Sequence, residues 1–208
     1  MILGKIKIEA LRLMFAGYNQ DYEVDDLETL TTDDNYGTYL KAMNGSINRC
    51  FDRLRSLAKQ PKKSLTLEFD PDVDEDFNLE YDLDDEAFAS VDKIVRIVWR
   101  DLYGNVIRNF EYELEGRTLI IQNMQEAGTY KLIYLEKLPF IDDLADTEDL
   151  TIDDELARII PYWIKGELYE EDEPSVAAQS RQLFEYYLSN LYVEEEIVQT
   201  KVKDVYGY

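Results

Sequence analysis

Gln60-Pro61-Lys62-Lys63-Ser64-Leu65-Thr66-Leu67-Glu68-Phe69 is where the hydrophobic period of the chain changes. Before it, apolar residues recur at helical spacing. From Ser64 onward Leu65, Leu67 and Phe69 alternate with Thr66 and Glu68, which is the signature of a half-buried strand. Gln60-Pro61 marks the boundary, because the residue before proline is biased away from the helical region.

Working back toward the N-terminus, Ile47, Cys50, Phe51, Leu54 and Leu57 form one helical face that Ser46 can cap. Tyr36, Leu40 and Met43 form another, beginning after the possible caps Thr32-Asp33. Asn44-Gly45 is expected to break or bend the chain between them. Val24, Leu27 and Leu30 suggest a short helical turn. Ile2, Ile6, Ala10, Leu13 and Met14 predict a first helix at about 3 to 17, closed by Gly17 and Asn19.

Working forward, a dense acidic stretch is followed by the β-rich run Lys93 to Arg100, a turn at Gly104-Asn105, and a strand from Val106 to Tyr112. Thr118 to Gln122 and Thr129 to Leu135 complete the set. Short strands at this spacing predict a small antiparallel sandwich or barrel. Helical spacing resumes after Leu138-Pro139. Thr151 and Asp154 resemble a capping box, and Leu156, Ile159, Ile160, Trp163, Ile164 and Leu168 share a face. Pro161 is expected to kink this helix or restart it. Pro174 suits a first helical position, and Val176, Ala177, Ser180, Leu183, Phe184, Tyr187, Leu188 and Leu191 form the strongest amphipathic pattern in the chain.

The expected fold class is therefore α+β. A helical bundle formed by N- and C-terminal helices carries an inserted small antiparallel β-sandwich or barrel. The divisions are 1–60 for the first helices, 61–138 for the β domain with an acidic loop at 70–92, 139–192 for the last helices, and 193–208 for a C-terminal arm.

Composition narrows the chemistry. At 208 residues the chain suits one ordinary domain or two small ones, and can bury roughly 70% of its unfolded surface. Hydrophobic residues at 45% and 16 tyrosines argue for a packed core rather than a disordered acidic tail. The 45 acids against 22 bases give a net charge of −23, which repels phosphate and anionic lipid. Groove-reading DNA binding and membrane docking are thus disfavoured. Leu119-Ile120-Ile121 and Ile159-Ile160 are too short to span a bilayer, and Lys5, Lys7, Glu9 and Arg12 do not fit a signal peptide. The single cysteine, Cys50, excludes a disulfide framework and suits a reducing cytosol. Its helical spacing with Ile47 and Leu54 marks it as a core thiol. Trp99 and Trp163 are likewise expected in cores.

With no histidine there is no Ser-His-Asp triad, Cys-His dyad or imidazole metal ligand. The nine glycines form no phosphate loop. Only carboxylate chemistry survives. Asp70, Asp72 and Asp74 carry the first three spacings of a calcium loop, but Glu75 stands where glycine belongs and Tyr81 where the closing glutamate belongs. A solvated acidic loop is the plainer expectation, and no cofactor is expected.

The order of elements meets a resemblance at particular residues. Ile6-Lys7-Ile8-Glu9-Ala10-Leu11-Arg12-Leu13-Met14 and Met43-Asn44-Gly45-Ser46-Ile47-Asn48-Arg49-Cys50-Phe51-Asp52-Arg53-Leu54 look like the opening helices of head-to-tail connector (adaptor) proteins of tailed bacteriophages. Ile159-Ile160-Pro161-Tyr162-Trp163-Ile164-Lys165-Gly166-Glu167-Leu168-Tyr169-Glu170-Glu171-Asp172-Glu173-Pro174 is similar to their closing helices. So are Ala177-Ala178 and Arg181-Gln182-Leu183-Phe184-Glu185-Tyr186-Tyr187-Leu188. The resemblance implies a non-enzymatic virion subunit at the head-tail junction, made in the bacterial host cytoplasm. It implies a ring of about a dozen copies that docks on the portal protein, meets a downstream tail or stopper protein and extends the DNA channel. DNA would be passing cargo only.

The expected subunit or portal contacts are the basic residues Arg49, Arg53, Arg55, Lys62 and Lys63, with Lys59 nearby. The tail residues Ile197, Val198, Val202, Val205 and Tyr206 could add a strand or wrap a partner. An acidic channel lining would let DNA slide by leaving phosphates nothing to hold. The rival readings are an acidic DNA mimic that binds a DNA-handling enzyme, and a metal-dependent hydrolase.

Overall fold

A computed structural model describes residues 1–15, 21–69, 79–100, 106–121 and 128–191. These residues form a mixed α and β protein of five α-helices and two antiparallel sheets. The chain divides into two compact units, one of Met1–Cys50 with Ile141–Tyr208 and one of Phe51–Phe140.

In the first unit, α1 (Leu3–Met14) buries Leu3, Ile6, Ala10, Leu11 and Met14. It stops at Met14, before the expected 17, and residues 16–20 lie outside the described set. Its first N–H groups have no helical partners. Those of Leu3 and Gly4 donate to the Glu148 and Asp146 carbonyls at 3.0 and 2.7 Å. A Cβ on Gly4 would lie 2.8 Å from the Asp146 carbonyl oxygen, so this approach needs glycine. After a 3-10 turn at Val24–Asp26, α2 (Leu27–Thr31) buries Leu27 and Leu30 as their spacing suggests.

The next helix corrects an expectation. α3 (Gly37–Ser56) runs unbroken through Asn44-Gly45. Thr32 and Asp33 sit in the preceding turn rather than at its cap. Ser46 is buried mid-helix. Leu40, Met43, Ile47 and Cys50 are all buried on one face. Each such side chain contributes about 1.5–3 kcal/mol on burial, whereas a mid-helix glycine costs about 1 kcal/mol. The face outweighs the breaker.

The same comparison explains α4 (Asp154–Leu168), which continues through Pro161 without restarting. Interior proline costs about 3 kcal/mol, and Leu156, Ile159, Ile160 and Ile164 are buried around it. Asp153, not Thr151, is the N-cap residue, so the expected capping box does not form. α5 (Pro174–Asn190) does begin with its proline. α1 packs on α4, and α4 on α5. The last pair approach closely at Gly166, where a Cβ would meet Arg181 Cγ at 2.7 Å.

The second unit holds β1 (Lys62–Phe69), β2 (Leu79–Asp82), β3 (Val91–Arg100), β4 (Val106–Phe110), β5 (Tyr112–Glu115), β6 (Thr118–Ile121) and β7 (Gly128–Glu136). One sheet has the order β1-β7-β3-β4, the other β2-β6-β5. They are not closed into a barrel. The expected strand Val106 to Tyr112 is in fact two. β4 pairs with β3, the chain steps across at Glu111, and β5 pairs with β6 in the other sheet. A shared core explains why the sheets stay together without closing. Leu67, Ile97, Phe110, Leu119, Ile121, Tyr130 and Leu132 come from both sheets and form one buried cluster.

The acidic loop is also shorter than expected. Within 70–92, β2 pairs with β6, and Leu83, Phe88 and Val91 are buried in that cluster. Leu79 and Tyr81 pack against it while Glu80 and Asp82 face out. Acid content hid an ordinary alternating strand. Trp99 packs, partly buried, against the same core.

The unbroken α3 and the close α4–α5 crossing generate opposite expectations for alanine. A Cβ at Gly45 meets only the far end of the Arg49 side chain, at 3.3 Å. Gly45→Ala should therefore stabilise by about 0.5–1 kcal/mol. Gly166→Ala should destabilise, because its Cβ also meets the Ala177 carbonyl oxygen at 3.2 Å. Urea unfolding midpoints of the two variants measure both signs. A destabilised Gly45→Ala would mean that the added Cβ displaces Arg49 from Glu167 at a cost greater than the helical gain.

Candidate interaction surface

One carboxylate gathers three helices of the first unit. Glu167 on α4 accepts from Arg49 Nε through Oε1, and from Ser46 Oγ through Oε2 at 2.6 Å. Oε2 also accepts from Trp163 Nε1 at 3.1 Å, and the same indole N–H reaches the Ser46 carbonyl at 3.1 Å. The Trp163 ring meets Phe184 of α5 edge-on at 5.2 Å. Ser46 and Arg49 belong to α3, so this cluster fixes α3 on α4 and α4 on α5. Hydrogen bonds to an ionised group are the stronger kind, about 1.5–3 kcal/mol each. Cys50 lies wholly buried beside it, as its spacing predicts. Burial, then the charges of Glu167 and Glu185, push the Cys50 thiol well up, so it stays protonated and inert.

Lys165 of α4 and Tyr169, the residue that follows the helix, close the end of α1. Lys165 Nζ donates to the Leu13 carbonyl at 2.5 Å, and Tyr169 OH to the Met14 carbonyl at 2.6 Å. Both carbonyls belong to the last turn of α1, which lacks helical donors.

The apolar face of α5 is wider than the part its neighbours cover. Ala177, Ser180, Phe184 and Leu188 are buried. Leu183 and Tyr187, which share the sequence pattern, remain 37% and 38% exposed, and Tyr186 is 63% exposed. Tyr187 meets Tyr162 at a tilt and Tyr186 edge-on, with ring centroids 5.4 and 5.6 Å away. Beside these rings lies a cleft of about 340 Å³, lined by Glu155, Arg158, Ile159, Tyr162, Tyr187 and Leu191 among others. Sequence reading put Tyr187 on the apolar face of the last helix. The signal it lacked is the number of helices available to cover α5.

Three of the expected contact cations are engaged within their own units. Arg49 is held by Glu167. Arg55 pairs with Asp52 at 2.9 Å and lies 3.6 Å from Asp92, and Lys63 lies 3.8 Å from Glu136. Arg53 and Lys62 also have partners. Arg49, Arg55 and Lys63 therefore neutralise neighbouring acid. The weak metal candidates Asp70, Asp72 and Asp74 lie outside the described residues, as do Ile197, Val198, Val202, Val205 and Tyr206. Among the described residues, no three cysteine, aspartate or glutamate side chains converge to hold a metal ion. None of the described helices is long and apolar enough to cross a membrane.

The Tyr169 hydroxyl sits among Tyr39, Glu173 and Asp172. Burial first, then those neighbours, push its pKa from 10.0 to about 12. A raised pKa means that the folded state favours the neutral phenol. Its stabilising effect is complete below pH 10, where the unfolded chain also keeps the proton, and is lost as pH climbs toward about 12. Tyr169→Phe should lower thermal stability at neutral pH, because the Met14 carbonyl loses its donor. It should also flatten the fall in melting temperature above pH 10. An unchanged alkaline slope in the variant would remove Tyr169 from this role.

No protein-family model matches the chain, and no curated protein matches it in sequence.

Proposed function

We propose that the chain is a non-catalytic structural subunit of a tailed-phage head-to-tail connector. A helical bundle of N- and C-terminal helices forms its body, and the β unit is a small sandwich inserted between them. The observation that carries the reading concerns the segments that resemble connector helices. They lie far apart in sequence, yet Ile6 to Met14, Ile159 to Pro174 and Ala177 to Leu188 fall within one compact unit, which also takes in the Met43 to Cys50 part of the segment Met43 to Leu54. Glu167 with Ser46, Arg49 and Trp163 holds two of them together, and the Trp163 ring against Phe184 adds a third.

Two further features support an assembly role. The exposed Leu183, Tyr186 and Tyr187 give the helical unit an uncovered aromatic surface, and interface cores are enriched in such residues. The net charge of −23 suits a channel wall that lets DNA pass without gripping its phosphates. In this reading, copies assemble as a ring of about a dozen under the portal protein and meet a tail or stopper protein on the far side. Of the proposed contacts Arg49, Arg53, Arg55, Lys62 and Lys63, three (Arg49, Arg55 and Lys63) already neutralise acids of their own chain, so their pull on a partner is reduced. The aromatic surface of α5 and the segment after residue 192 carry more of the contact. The virion head-tail junction is the place of action.

The same acidity also suits a DNA mimic that occupies a DNA-handling enzyme. Native mass spectrometry of the purified chain, with and without a portal protein, separates the two. Binding of multiple copies to the portal, weakened at least tenfold by Tyr186→Asp, is the expected result. A monomer that ignores the portal and instead blocks a nuclease would overturn the connector reading.

A further inference from the structure

The exposed side of α5 carries a second pattern besides the one that buries it. Val176, Gln179, Leu183, Tyr186 and Asn190 recur at alternating spacings of three and four, the seam spacing of paired helices, so they lie on one stripe. Leu183 is 37% and Tyr186 63% exposed, Gln179 and Asn190 are exposed, and Val176 is half-buried. The buried side of the helix belongs to Ala177, Ser180, Phe184 and Leu188, so this stripe is left over once the unit is packed.

The stripe is also free of charge. In a chain that is 32% charged, the 17 residues of α5 carry only Arg181 and Glu185. Both lie off the stripe, and Arg181 is held by Glu170. At the Asn190 end, the cleft beside Tyr187 adds Glu155 and Arg158, one charge of each sign. At the other end, Glu171-Asp172-Glu173 precede the helix and lie beyond the stripe. Charge selects the occupant. A basic partner gains by sitting over surplus acid, not over a surface without charge. A second copy, itself at −23, meets least repulsion where charge is absent.

The stripe is complementary to itself when two copies of α5 run antiparallel. In one register Leu183 packs on Tyr186 of the second copy and Gln179 meets Asn190 of the second copy, each contact made twice about a twofold axis. Apolar side chains then face apolar ones, and amides face amides. Asn190 Nδ2 already donates to the Tyr186 carbonyl at 2.9 Å, and Oδ1 can accept from Gln179.

We propose that the free subunit forms a twofold pair through the stripe of α5 from Val176 to Asn190. At 1.5 Å per residue the helix is about 25 Å long, and one such seam covers less than the roughly 800 Å² per partner of a stable complex. The pair is therefore a micromolar one. A twofold contact closes at two copies, so it is a state of the free subunit and not an arc of a ring. It does not rest on the connector reading.

Analytical ultracentrifugation of the full-length chain tests it. The expected result is a dimer with a Kd on the order of 10 μM, which tightens as salt screens the surplus acid. Leu183→Asp should weaken it by roughly tenfold or more. Ala178→Asp, exposed on the same helix but off the stripe, should leave it within about twofold. In a Leu183→Cys variant a short bis-maleimide should join two copies at residue 183, the native Cys50 being buried. Ala178→Cys should give no such link. A chain still monomeric at concentrations on the order of 100 μM would overturn the proposal. So would a dimer that Leu183→Asp spares, one that loosens with added salt, or one that links as readily through residue 178.

Discussion

The helical unit depends on an ionised group placed where apolar packing alone would be ambiguous. Amphipathic helices bury a stripe, but a stripe of leucine and isoleucine tolerates rotation and sliding. Glu167 removes that freedom. Its two oxygens accept from Arg49, Ser46 and Trp163, and these donors are met together at one register of α3 on α4. The indole then rests on Phe184, which carries the constraint to α5. Lys165 and Tyr169, two residues before and after Glu167, cap the carbonyls of α1. One short stretch at the end of α4 thus positions every long helix of the unit.

Electrostatics elsewhere follow a related rule. Cations are outnumbered, and many of those described are committed to acids of the same unit. Lys7 pairs with Asp146, Arg117 with Asp84 and Arg181 with Glu170. The last pair is bidentate, and Arg181 holds the Glu170 carboxyl below its usual range. The acids left over give the surface its negative character, which disfavours non-specific contact with nucleic acid. Recognition by such a protein falls to apolar and aromatic surface, and α5 leaves that surface uncovered.

Much of this architecture was legible in the residues. The helical spacings of α1, α4 and α5 and the alternation of β1 and β7 are local patterns, and local patterns survive folding when one face is buried. What was hidden depended on long-range partners. Asn44-Gly45 read as a break because propensity is local, while the burial of Met43 and Ile47 that overrides it is not. β2 was masked by acids on its outward face. The step at Glu111 depends on which sheet each half of the strand joins. Glu167 stood within a recognised helical run, yet nothing in spacing could pair it with Ser46 and Arg49, more than a hundred residues earlier. The excess width of the α5 face was visible, but its exposure was not.

The central claim is that Glu167 organises α3, α4 and α5 as one cooperative unit. Hydrogen-exchange mass spectrometry of Glu167→Gln against the unaltered chain tests it most directly. Replacing the charged acceptor should raise exchange by roughly tenfold in residues 37–50, 154–168 and 174–190 together, with the β3 and β7 peptides unchanged. Exchange raised only around residue 167, with α3 and α5 still fully protected, would contradict the account.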